Sequence, residues 1–172
     1  MKQVFQRLCI CLAAGIILLS CRKTASFQQQ DEVAASAKTH GTMLPLKGTY
    51  ETTNERLSNP PMLLQRITGI GQSSHLGEGK FVALSTLNLT TAPPFSLSGT
   101  ATFYAANGDE FYTSFAGTAM PRPDGIMDVV MNHTIQGGTG RFEEATGNFT
   151  GSAIGDPAKL NGTITYKGTI SY

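Results

Sequence analysis

From Pro45 onward, apolar and polar side chains alternate with a period of two residues. The final stretch shows this most clearly, because it separates into two faces of different character. The first face comprises Leu160, Gly162, Ile164, Tyr166, Gly168 and Ile170, and the second comprises Asn161, Thr163, Thr165, Lys167, Thr169 and Ser171. Successive side chains of a strand point to opposite sides of a sheet, so this alternation predicts a half-buried strand.

Turn signals separate several runs of this kind. Asn107-Gly108 favours a tight hairpin, because these residue types accept the positive φ of a type I′ turn, and prolines and glycines mark the other connections. About eight strands are predicted in this way. Their ranges are 46–56, 62–71, 79–90, 95–106, 110–119, 125–136, 147–154 and 160–171.

Strands with one apolar face each must cover that face. A sandwich and a closed barrel are the two natural solutions, and closure also removes the exposed edges that invite aggregation. We predict an all-β fold, a single closed eight-stranded antiparallel barrel over 45–172. A transmembrane barrel is a competing interpretation, but it would need aromatic girdles and an apolar outer band, and the chain has no Trp.

The N-terminus carries a second informative pattern. Lys2 and Arg7 precede an apolar run over 8–19, which ends at Ser20 and Cys21. These parts resemble a bacterial lipoprotein signal, in which the cysteine is acylated and becomes the first residue of the mature chain. A plain signal peptide or a short helical anchor is the alternative, although the run is shorter than the roughly 20 residues that a spanning helix needs.

The resemblance implies three segments: a signal peptide over 1–20, acylated Cys21 with a flexible tether over 21–44, and the barrel over 45–172. It also implies export across the inner membrane and a lipid anchor as the link to a membrane. Arg22 replaces the Asp that retains some lipoproteins in the inner membrane, so the outer membrane of a Gram-negative bacterium is the expected location.

Charge and cysteine content exclude several functions. Removing the leader leaves 11 of the 13 basic residues against 12 acidic ones, and they are scattered, so nucleic acid is not an expected partner. Cys9 and Cys11 lie in the leader, so the mature chain would keep Cys21 alone. We therefore expect no disulfide, no metal site and no cofactor.

A glycine-rich segment over 137–147 reads GGTGRFEEATG. It resembles the segment shared by allene oxide cyclases, dirigent proteins and related bacterial barrels, a resemblance that implies an eight-stranded, calycin-like barrel. The residues that carry it are Gly137, Gly138, Gly140, Arg141, Phe142 and Gly147. Glycines permit positive φ and bulges, so we interpret the segment as structural, with Phe142 plugging one end and Arg141 satisfying carbonyls.

Candidate pocket residues are His133, His75, Tyr112 and Met131. His133 shares an apolar face with Met131, where it could act as a polar pocket group or simply be a hydrogen-bonded core residue. His75 and Glu78 supply only two potential metal ligands, which is too few for a site. Catalytic residues are not identifiable from the sequence.

These observations favour a lipid-anchored envelope protein that binds a small hydrophobic molecule or an envelope partner. The resemblance also leaves open a cyclase or isomerase acting on a hydrophobic substrate without a metal, since some members of that superfamily are such enzymes. A purely structural envelope protein with a filled barrel is the third possibility. Fold alone does not decide among these functions.

Overall fold

Antiparallel strands close into a barrel in the computed structural model, which describes residues 41–172. The strands are β1 Leu44–Arg56, β2 Met62–Ser73, β3 Gly77–Asn88, β4 Phe95–Tyr104, β5 Glu110–Pro121, β6 Met127–Gly138, β7 Thr146–Asp156 and β8 Asn161–Ser171. A single 3₁₀ turn, Gly140–Phe142, joins β6 to β7. Cys21, the signal segment and nearly all of the tether lie outside the described residues.

The predicted fold class is confirmed: each strand pairs with the next, and β8 pairs with β1. Every predicted strand boundary lies within two residues of the observed one. The strands tilt as barrel closure requires. The stagger that accompanies this tilt can be read from the strand pairing. Starting at Arg56 on β1 and moving from each residue to its partner on the next strand, one full circuit of the barrel ends at Leu46 on β1, ten residues earlier.

Most inward-facing side chains are apolar, and the outer surface is mostly polar. On β8, Ile164 and Tyr166 are buried, whereas Thr165 and Lys167 are exposed. This arrangement is the reverse of what a barrel embedded in lipid requires. Separately, no helix within residues 41–172 is long and apolar enough to cross a membrane.

One end of the barrel is plugged. The β2–β3, β4–β5 and β6–β7 connections meet there, at the end where β1 begins. Phe142 from the 3₁₀ turn is fully buried, with its ring centroid 5.6 Å from that of Phe111 and 4.9 Å from that of Tyr172. The Arg141 guanidinium lies 4.7 Å above the Phe142 ring and donates a hydrogen bond to the His75 carbonyl oxygen. These contacts tie the plug to the neighbouring loop.

The glycines of the 137–147 segment allow this geometry. Gly137 and Gly140 have φ values of +91° and +54°, and the register between β5 and β6 shifts beside Gly138. A Cβ atom at Gly140 would also lie 2.1 Å from an Asp109 carboxylate oxygen, so a larger residue would have to displace the Asp109 side chain as well as adopt a positive φ.

The opposite end is the mouth, formed by the β1–β2, β3–β4, β5–β6 and β7–β8 connections. Between the mouth and the plug the barrel is packed with aromatic rings. Gly69, Gly99 and Gly151 stand directly opposite Phe81, Phe115 and Tyr166 on the neighbouring strands. Each ring lies over its glycine, so the glycines make room for large side chains inside a narrow barrel.

Candidate functional site

The barrel contains a cavity of about 320 Å³ at its mouth. Residues of the mouth loops, Pro60, Leu89, Pro157 and Leu160, surround its outer part, and the strands supply its walls. The wall formed by β4 to β7 is apolar. Its members include Leu97, Phe115, Ala119, Val129, Met131 and Ala153.

Aromatic rings form the floor of the cavity, with His133 among them. The imidazole stacks on Phe149 with ring centroids 4.5 Å apart and an interplanar angle of 10°. Phe115 and Tyr166 lie 4.9 Å and 5.3 Å from it, the second edge-to-face. His133 is thus held on three sides by rings, and it is only 2% exposed.

The hydrogen bonding of His133 is incomplete. Its Nδ1 lies 3.1 Å from the hydroxyl of buried Thr113, whose oxygen is also 3.5 Å from the Ala101 carbonyl oxygen. Its Nε2 is buried without a hydrogen-bond partner in the described part of the chain. Burial lowers the pKa of His133 from 6.5 to about 3, because the apolar surroundings disfavour the charged form. At neutral pH His133 is therefore an uncharged ring.

Tyr166 is the other ionisable group at the floor. Burial, reinforced by the neighbouring Tyr50, raises the pKa of Tyr166 well above its ordinary value. The two rings meet edge-to-face with centroids 5.9 Å apart. The Tyr166 hydroxyl therefore stays protonated at neutral pH and can serve only as a neutral hydrogen-bonding group.

The remaining wall, which β1, β2 and β3 form, carries polar side chains among apolar ones such as Leu63, Ile67 and Leu87. Its polar members set it apart from the opposite wall. They are Thr52, Asn54, Arg56, Gln65 and Ser85. Ser85 is only 3% exposed, and Asn54 Oδ1 is buried with no hydrogen-bond partner within residues 41–172. The cavity is therefore two-sided, with an apolar wall facing a mixed wall that carries these polar groups, which we call the polar wall.

Comparison with solved structures reveals a similar barrel. The chain superposes on a pterocarpan synthase dirigent protein with a TM-score of 0.57 and 15% sequence identity, over 77% of this chain and 92% of the other. The barrel has the dirigent fold. At this identity the likeness concerns the fold alone, and the dirigent-like part of the predicted resemblance is confirmed at that level. No protein-family model and no curated protein sequence matches the chain.

In this dirigent-like barrel, two of the four predicted pocket residues line the cavity. Those two are His133 and Met131, which sit two residues apart on the inward face of β6. Val129, on the same face, lines it as well. The period-two pattern of this strand thus places His133 and its neighbours together at the site.

His75 and Tyr112 do not line the cavity. His75 lies at the plugged end, where its Nε2 is 3.0 Å from the Pro45 carbonyl oxygen and its Nδ1 is 3.2 Å from the Tyr172 hydroxyl. Tyr112 is 37% exposed on the outer face, and its hydroxyl donates to Glu110 at 3.3 Å. Within the described residues, no cluster of three potential metal ligands occurs, at His75 and Glu78 or elsewhere.

Sequence reasoning missed the polar wall of the cavity. One signal for it was present. Gln65 interrupts the apolar phase of β2 between Leu63 and Ile67, and Ser85 does the same on β3 between Ala83 and Leu87. A polar residue in the inward phase of a strand indicates a polar group inside the barrel.

Proposed function

We propose that this protein binds a small, largely apolar molecule in the mouth cavity of the barrel. The observation that carries the proposal is the cavity itself, about 320 Å³ in volume, with a continuous apolar wall on β4 to β7. Binding sites for small molecules are typically concave, apolar and furnished with a few polar groups. An eight-stranded barrel is wide enough to hold one small ligand.

The ionisable groups of the cavity favour binding over catalysis. Among the residues that line it, these groups are Arg56, His133 and Tyr166. The pKa of His133 is about 3, and that of Tyr166 is raised well above its ordinary value, so neither can exchange a proton readily near neutral pH. A cyclase or isomerase would use the same cavity, but its reaction would have to proceed without proton exchange at these two groups.

Two tryptophan substitutions on β6 test whether the cavity is the binding site. Val129 lines the cavity, and its neighbour Val130 is 49% exposed on the outer surface. We expect Val129→Trp to weaken binding of the small neutral dye 1-aminonaphthalene by about tenfold or more, because the indole occupies the ligand's space. Val130→Trp, the matched control, should bind like the wild type.

Dye fluorescence titrations would measure these affinities, with circular dichroism to verify that each variant keeps its strands. Equal affinities in all three proteins would place the dye on the surface and contradict the proposal. A wild-type protein that does not bind the dye would contradict it as well.

We further propose that a lipid on Cys21 anchors the barrel to a membrane, the outer membrane of a Gram-negative bacterium being the expected one. The support is the leader pattern, a basic start followed by an apolar run that ends at Ser20-Cys21. Two or three acyl chains would give a firm attachment, since each buried methylene contributes about 0.8 kcal/mol. The same anchor would place the cavity in the cell envelope.

Cys21→Ala tests the anchor. In the bacterial host, the variant should lose incorporation of radiolabelled palmitate and move from the membrane to the soluble fraction. The barrel should keep its circular dichroism spectrum, because residue 21 precedes its first strand by more than 20 residues. Palmitate that still enters the variant would refute Cys21 as the site of acylation.

A further inference from the structure

The polar wall of the cavity contains a row of three hydrogen-bond donors. Arg56 on β1 pairs directly with Gln65 on β2, and Gln65 pairs directly with Ser85 on β3. All three side chains line the cavity. Directly opposed side chains of neighbouring strands lie about 5 Å apart at Cβ, so the three groups can contact one ligand group together.

Two of these groups form no hydrogen bond with the part of the chain that the structure describes. Within residues 41–172, the Ser85 hydroxyl and the Gln65 amide bond to no other side chain or backbone group, although Ser85 is only 3% exposed. Arg56 uses one of its five N–H groups, donating from Nη2 to the Pro157 carbonyl oxygen at 2.9 Å. Of the three residues, Ser85 is buried, Gln65 is half-buried and Arg56 is exposed at the mouth. Buried polar groups are nearly always hydrogen-bonded in folded proteins, so the unpaired Ser85 hydroxyl indicates a ligand or ordered water in the cavity.

The charge of Arg56 is not neutralised by the carboxylates near it. Glu55, its neighbour in sequence, forms an ion pair with Arg66 at 2.6 Å. Asp156, next to Pro157, pairs with Lys159 at 3.0 Å and accepts two backbone N–H bonds. No described acidic residue forms an ion pair with Arg56, and no carboxylate lines the cavity.

We propose that Arg56, Gln65 and Ser85 bind the carboxylate of an apolar monocarboxylic acid. This proposal rests on the proposed function and names the ligand class. The three side chains can all donate to the carboxylate, which is acceptor-only, and a hydrogen bond from a guanidinium is among the strongest available. The nearby Asn54 amide, whose Oδ1 is unpaired, can turn its NH₂ toward the same group.

The body of the ligand lies against the apolar wall. At the roughly 30 Å³ that one water molecule occupies in the liquid, a cavity of about 320 Å³ holds on the order of ten non-hydrogen atoms. Decanoate has about this size. Its alkyl chain would contact the β4–β7 wall, where Leu97, Val129 and Met131 supply apolar surface.

The test compares decanoate with decanol, two probes that share a chain and differ in the head group. By isothermal titration calorimetry at neutral pH, wild-type protein should bind decanoate about tenfold or more tightly than decanol. Arg56→Met should remove this preference by weakening decanoate binding. Decanol binding should stay within about twofold, because methionine keeps an apolar side chain like the methylene stem of arginine and the cavity remains. Arg66→Met, which removes an equal charge from the outer face, should behave like the wild type.

The outcomes separate the two proposals. If wild-type protein binds both probes with equal affinity, or if Arg56→Met retains the preference for decanoate, the carboxylate site is refuted while the cavity proposal survives. If neither probe binds, the cavity proposal fails and the carboxylate site fails with it. Loss of the preference in Arg66→Met as well would show that the preference reflects overall charge rather than this site.

Discussion

We expect the free energy of unfolding of the wild-type barrel to fall by about 2–3 kcal/mol more than that of His133→Phe when the pH is lowered from about 7.5 to about 4.5. The reason is the low pKa of His133, about 3 in the folded state against 6.5 for an ordinary histidine. Above pH 6.5 the ring is neutral in both states, and its titration does not affect stability. Below that pH the unfolded chain binds a proton that the folded barrel does not, so stability falls by about 1.4 kcal/mol per pH unit until the folded pKa is approached.

His133→Phe is a suitable reference, because it keeps a ring in the stack between Phe115 and Phe149. Thr113, which loses its imidazole partner, keeps the Ala101 carbonyl oxygen within 3.5 Å. Urea denaturation of both proteins at the two pH values gives the difference directly, and acidic groups common to both cancel. Identical pH dependence in the two proteins would show that His133 is not held neutral by burial.

We expect Gly69→Ala to destabilise the barrel by about 3 kcal/mol, although it adds only one methyl group. The new Cβ would lie 2.1 Å from Cε1 of Phe81, the residue directly opposite on β3. Phe81 cannot move aside easily, because Tyr50 and Phe103 pack against its ring with centroids 5.3 Å away. Overpacking a rigid core typically costs about 1–3 kcal/mol and sometimes more.

Gly155→Ala is the matched control for this substitution. Gly155 lies on β7, and a Cβ there would have its nearest neighbour, the Asn161 carbonyl oxygen, at 3.9 Å. We expect it to be neutral or to stabilise by up to about 1 kcal/mol, as alanine does in an unstrained strand.

Combining Gly69→Ala with Phe81→Leu should cost less than the sum of the two single substitutions, since the smaller side chain relieves the clash. If the losses of stability from the two substitutions are additive, the Phe81 ring does not clash with a side chain at position 69.

The strands and turns of this barrel are predictable from the sequence, because local rules set them. Period-two alternation identifies β8 from Leu160 to Ile170, and Asn107-Gly108 marks the β4–β5 hairpin. The predicted type I′ turn is wrong, because Gly108 has a φ of +90° but Asn107 does not have the positive φ that this turn also requires. Which side of the barrel wall a residue faces is also set locally, by its position in the period-two alternation. It places His133 and Met131 inside, and it places Tyr112 outside, between the inward residues Phe111 and Thr113.

The cavity depends on features that no local pattern contains. Its position follows from the stagger of the strands, which brings Arg56 of β1 beside Gln65 of β2, and from the rings that lean over glycines. These features fill the plugged end and leave space at the mouth. His75 illustrates the same point, because its place at the plugged end is set by contacts with Pro45 and Tyr172, which are distant in sequence.

The most direct test of ligand binding in the cavity is native mass spectrometry of the protein isolated from the cells that naturally make it. Wild-type protein and Val130→Trp should carry the same small-molecule adduct, of a mass that corresponds to on the order of ten or more non-hydrogen atoms. Val129→Trp, whose indole fills the cavity, should carry none. An adduct retained on Val129→Trp, or a wild-type protein with no adduct, would contradict the account.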